Sequence, residues 1–115
     1  MSAHLLKFDT AGQAPEIGGP APEKRVSGTP QHRTWNVEDD GEGLYSGIWE
    51  SDVGEWAATY SEWEFCHILA GVAVLTEEGG EGVTVKAGDS IVIRRGFKGT
   101  WRIVEPLRKA YVIKD

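Results

Sequence analysis

The sequence predicts an all-β chain closed into a sandwich or barrel, with a jelly roll as the natural closure. Two observations predict it. From Arg33 onward, short runs rich in Val, Ile, Thr and aromatic residues alternate with turns carrying Gly and Asp. No stretch sustains the 3.6-residue apolar period of an amphipathic helix. The chain's 115 residues suffice for one hydrophobic core and not for two.

Residues 1–33 read as an extended arm and 34–115 as the barrel. Four of the five prolines (Pro15, Pro20, Pro22, Pro30) fall in the arm, with glycines at 12, 18, 19 and 28. Proline removes interior helical hydrogen bonds and glycine raises the entropy cost, so no helix is expected there. Leu5, Leu6 and Phe8 form a small apolar knot suited to an edge strand. The predicted strands then run 34–37, 44–50, 55–60, 63–69 continuing past a glycine as 71–76, 83–86, 90–93, 100–105 and 108–113. Pro106 separates the last two. The segment 77–82, Glu-Glu-Gly-Gly-Glu-Gly, is a hairpin loop.

Composition excludes several functions. A formal net charge of −6 is wrong for nucleic acid, whose phosphates require clustered Lys and Arg. Arg94, Arg95 and Lys98 cluster locally, as a solvated rim or a small-anion contact. One cysteine excludes an internal disulfide framework and fits a reducing compartment. No apolar run is long enough to span a bilayer, so no membrane partner is expected. Met-Ser-Ala-His-Leu-Leu-Lys lacks the hydrophobic stretch of a signal peptide, which makes a cytoplasmic location the expectation. The glycine pairs 79/80 and 96/99 precede no helix, so they are turn glycines rather than phosphate loops. Five tryptophans are many for this length. Each removes roughly 200 Å² from water when buried, so two or three would dominate a core or line a pocket.

Two separated blocks carry a resemblance. The first is Glu64-x-Cys66-x-Ile68-Leu69-x-Gly71. The second is Gly88-Asp89 followed by Gly96-x-x-Gly99-x-Trp101-x-Ile103-x-Glu105-x-x-Arg108-Lys109-x-Tyr111. In order and spacing this resembles the small single-domain cupins of the ureidoglycine-aminohydrolase-like type, which include the ethanolamine-utilisation cupin. It covers roughly residues 34–113 and implies a cupin jelly-roll barrel and a homodimer. In that pattern two histidines precede a glutamate that lies seven residues before a glycine. Glu64 fills the glutamate position. The histidine positions fall on Ala58 and Tyr60, or on Ala57 and Thr59, and the ligand position of the second block falls on Gly99. Catalytic zinc normally takes three protein ligands and an open position. His4 and His32 lie in the predicted arm, and His67 has the wrong strand parity to join Glu64. The expectation is no metal and no other cofactor.

Alternation sorts the strand at 63–69 into two faces. Hydrophobicity alone would bury Trp63, Phe65, His67 and Leu69. The resemblance instead turns Glu64 inward, with Tyr60, Glu62, Cys66 and Ile68. Both hold if the outer set meets a second subunit, so Trp63, Phe65, His67 and Leu69 are the expected dimer interface. The candidate ligand-binding residues are Tyr60, Glu64, Trp101, Trp56, Tyr111 and Lys109. An interior carboxylate must be paired, hydrogen-bonded or protonated, so Glu64 either binds a ligand's amine or hydroxyl, acts as a general base, or is held by Tyr60 or a cationic side chain. Lys109 shares a face with Tyr111 and can reach it. Trp101 either stacks on a ligand or fills volume left by the histidines; Trp49 and Trp56 are core or cavity wall. Trp35 packs under the arm. A thiolate nucleophile needs nearby positive charge, and the adjacent Glu64 does the reverse, so Cys66 reads as an inert core cysteine. Glu105, Arg108 and Lys109 flank Pro106, where a structural ion pair is the default. No catalytic residue is assigned. Three functions remain open: metal-independent binding of a small polar metabolite, an enzyme of aminohydrolase-like type, or an assembly subunit with an inert pocket.

Overall fold

The computed structural model describes residues 4–115. Its strands are β1 (Glu16–Gly18), β2 (Arg25–Ser27), β3 (His32–Asp39), β4 (Leu44–Ser51), β5 (Gly54–Thr59), β6 (Trp63–Glu77), β7 (Gly82–Lys86), β8 (Ser90–Ile93) and β9 (Lys98–Lys114). The only helical turn among the described residues is a 3-10 turn at Pro22–Lys24, in the arm. The chain is all-β, as the alternating pattern predicts.

Every strand pairing is antiparallel. The long β9 organises the sheet. Its first half pairs with β5 and its second half with β4, while β6 runs along both halves on the other edge. One strand with different neighbours at its two ends forces the sheet to curl, and the path β1-β3-β4-β9-β5-β2 wraps into a half-barrel. Trp56, Cys66, Ile68, Leu75, Val85, Ile93, Trp101, Ile103 and Leu107 pack inside it.

The strand at 63–69 continues past Gly71 as expected, whereas the two strands predicted at 100–105 and 108–113 are one. Pro106 does not break β9. Inward residues keep strict alternation through it, from Trp101 and Ile103 to Leu107, Lys109 and Tyr111. The irregularity falls on β6 instead. Its buried residues are Glu64, Cys66 and Ile68 before residue 69, and Ala73 and Leu75 after it, so the inward parity switches from even to odd. Register shifts across Ile68, Ala70, Val72 and Ala73 mark the bulging that makes the switch. Gly71 sits there at φ +89, and a side chain on it would run into the Pro106 carbonyl. Pro106 and Leu107 have no partner on β6 in this stretch, which explains why a residue without an N–H is tolerated within a long inner strand.

The arm lies on the barrel. Residues 5–8 form no strand, contrary to the edge-strand expectation, and Leu5 and Leu6 are exposed. Further on, Gln13 accepts a hydrogen bond from the Trp35 indole (2.9 Å) and Thr10 accepts one from Arg108 (3.0 Å). Both contacts lie on the outer face of β3–β4–β9, where Arg33, Glu50 and Arg108 form a cross-strand row of ion pairs. β1 then adds to the β3 edge and β2 to β5.

Candidate functional site

The inner face of the curl holds a cavity of about 480 Å³. Cross-strand register places its walls. Trp56 of β5 lies opposite Trp101 of β9, and Trp49 of β4 lies opposite Lys109. Tyr111 lies opposite Gly47, which lies opposite Asn36 of β3. The missing side chain at Gly47 matters: a Cβ there would stand 2.9 Å from the Tyr111 oxygen. The open position lets the Tyr111 hydroxyl cross the middle strand and donate to Asn36 Oδ1 at 2.7 Å.

A buried ion pair forms the base. Lys109 Nζ lies 3.0 Å from Glu64 Oε2, and each residue is only 4% exposed. The ammonium also sits over two indole faces, 4.5 Å from the centroid of Trp49 and 4.4 Å from that of Trp101. Each such contact is worth about 1–2 kcal/mol when desolvated. Burial works against the charge on Lys109, but the Glu64 carboxylate more than offsets it and holds the lysine above its usual range. The site therefore holds a buried ammonium whose charge is matched by the Glu64 carboxylate.

Around the pair, other groups are held in their neutral forms. Burial raises the Tyr60 phenol, with Lys109 opposing; its oxygen accepts from Trp101 Nε1 at 3.1 Å. Burial pushes the Cys66 thiol up to about 12 and the Tyr111 phenol up to about 12. His32 packs tilted, at 55°, against both Trp49 and Trp56, with centroids 4.8 and 4.7 Å away. Burial, then the positive charges of Lys109 and Arg33, lower its pKa to about 4. Its Nε2 is buried without a hydrogen-bond partner.

The structure brings Tyr60, Glu64, Trp101, Trp56, Tyr111 and Lys109 to one cavity. Trp63, Phe65, His67 and Leu69 lie on the opposite face of β6, with Leu69 44% exposed and His67 Nδ1 2.8 Å from Ser90 Oγ. The expected ion pair around Pro106 does not form. Arg108 and Lys109, adjacent on an extended strand, point to opposite faces, so Arg108 goes to Glu50 outside and Lys109 to Glu64 inside. His32 belongs to β3 rather than to the arm, and it lines the cavity with Glu16 and Asn36. Its parity with Thr34 was the available signal.

The donor set does not suit the metal of the general cupin pattern. Glu64 is bonded to an ammonium, and no three His, Cys, Asp or Glu side chains among the described residues converge to hold an ion. Ala58 and Gly99, at the histidine positions, are cross-strand partners. A Cβ at Gly99 would collide with the backbone carbonyl of Thr76 on β6, so this close strand approach excludes any side chain there.

Comparison with known proteins places this geometry. A family model described as the EutQ-like cupin domain matches residues 38–111. No curated protein matches. Among solved structures, a DUF861 protein of unknown function from Pseudomonas syringae pv. tomato is 27% identical, with a TM-score of 0.79 over 97% of this chain and 45% of that one. The EutQ protein of Clostridium difficile is 21% identical, with a TM-score of 0.67 over 74% of this chain and 63% of that one. A DUF861 protein from Thermotoga maritima is 27% identical, with a TM-score of 0.55 over 84% and 96%. The chain thus spans less than two thirds of the first two proteins. Among the described residues no helix is long and apolar enough to cross a membrane.

Proposed function

The chain belongs to the EutQ-like cupin family, and from that premise we propose that it binds a small polar metabolite in the barrel without a metal. One observation carries this reading: the carboxylate at the family's glutamate position is engaged by Lys109 inside an aromatic-walled cavity. The ammonium neutralises the carboxylate that a bound ion would otherwise engage, so the pair needs no metal to be satisfied. A concave, largely preformed cavity with apolar walls and a few convergent polar groups is the usual architecture of a ligand site. The same reading takes the outer face of β6 as the contact with a second copy of the chain.

Aminohydrolase-like chemistry draws less support from these residues. A general base works best with a pKa near the operating pH. Tyr60, Cys66, Lys109 and Tyr111 are all raised, and His32 is lowered to about 4.

A thermal-shift screen of amines, alcohols and ureido compounds tests the proposal. A ligand that stabilises the wild type and loses its effect in Glu64→Gln supports it. Metal analysis of protein purified with and without added manganese, zinc and nickel is the complementary measurement. A stoichiometric ion that disappears in Glu64→Gln would overturn the metal-free reading.

A further inference from the structure

We infer that the ligand of this cavity carries a positive charge at the mouth and presents an apolar, planar body to the tryptophans behind it. The inference rests on the binding reading above and adds the sign and shape of the ligand.

The base of the cavity offers nothing to an anion. Among the described residues Lys109 is its only ammonium, and Glu64 neutralises it at 3.0 Å. The same ammonium is covered by the faces of Trp49 and Trp101. Arg33 and Arg108 are on the outer face of the sheet, bound to Glu50, and do not line the cavity. His32, in the wall, is neutral at physiological pH.

The mouth has the opposite character. Glu16, exposed on β1, and Glu62, partly exposed in the turn before β6, border the same cavity. Neither has an ion-pair partner among the described residues. The buried pair cancels internally, so these two carboxylates set the sign of the field at the entrance. Low-dielectric walls on either side focus that field. The cavity is the site, and the carboxylates fix which charge enters it. Three indoles line the cavity, Trp49 the most open of them, and the rings of Trp56 and Trp101 behind it are parallel to within 2°. Such a wall accepts a flat apolar group and gives little to a branched, fully hydrated one.

A matched trio tests both parts. Phenethylamine, 2-phenylethanol and phenylacetate share a ring and differ in terminal charge, and each is titrated at low ionic strength against the full chain by thermal shift. The expected order is phenethylamine strongest, 2-phenylethanol weaker and phenylacetate weakest. Glu16→Gln and Glu62→Gln, at unpaired positions, should each weaken phenethylamine by about fivefold. Both variants should leave 2-phenylethanol unchanged, and added salt should erode the amine's advantage. If phenylacetate binds as well as phenethylamine, or the amine preference survives in the double variant, the charge assignment is overturned while the pocket stands. If none of the three shifts the wild type, the assignment of a cationic ligand with a planar body is overturned, and the binding reading stands or falls on the wider screen of amines, alcohols and ureido compounds.

Discussion

Lys109 and Glu64 are each costly to bury and tolerable only together. Removing one partner of a buried pair typically costs about 3–5 kcal/mol, because the other charge is left desolvated and unpaired, whereas removing both is far milder. Glu64→Gln and Lys109→Met should each destabilise the fold by about 3 kcal/mol. The double variant should lose much less than the sum, measured as a double-mutant cycle in urea. Additive losses would mean that the 3.0 Å contact contributes no coupling. His32 makes a second residue-level prediction, in pH. Its pKa falls from 6.5 to about 4 on folding, so the unfolded chain takes up the proton first as pH drops. Its stabilising contribution is full above pH 6.5 and is lost as pH falls from there toward 4. Allowing for solvent screening of a half-buried ring, the loss should be about 1–2 kcal/mol. His32→Phe should flatten this part of the stability profile; an unchanged slope would assign the titration to another group.

At the scale of the element, β6 depends on its bulge. Gly71 has φ +89 and faces the Pro106 carbonyl, while Gly79, at the β6–β7 turn, has φ +81 and open space around it. Gly71→Ala should therefore cost about 2–4 kcal/mol, for backbone strain plus a backbone collision. Gly79→Ala should cost about 1 kcal/mol, for the backbone alone. Equal losses in chemical denaturation would remove the close packing of Gly71 from the account. The bulge also shows which parts of the fold the sequence made legible. Strand positions and turns could be read because Gly, Asp and alternation act locally. The inward turn of Glu64 could be read only through the family pattern, since Trp63, Phe65 and Leu69 are the more hydrophobic set. The parity switch in β6 and the continuity of β9 through Pro106 could not be read, because both depend on which strand lies alongside. The same limit hid Glu16, in the middle of the arm, and for His32 the proline- and glycine-rich composition of the arm outweighed its parity with Thr34.

For the whole molecule, the outer face of β6 is the feature a lone copy explains least well. Val92 of β8, Phe65 of β6 and Val112 of β9 are consecutive cross-strand partners and form an apolar row. Trp63 and Leu69 extend it along β6, and Val92 and Leu69 are well exposed. Apolar surface of this kind on a small β protein is characteristic of contact sites. The arm covers the outer side of β3–β4–β9 through Trp35 and Arg108, which leaves the β6 side as the open one. A second copy meeting it about a two-fold axis would bury the same residues on both chains. Light scattering after size exclusion should then give about twice the 12.6 kDa chain mass. Phe65→Asp, central in the row and outside the core, should return a folded monomer with unchanged far-ultraviolet circular dichroism. A wild-type mass of one chain at every concentration would refute the dimer, and a variant that stays dimeric would move the contact to another surface.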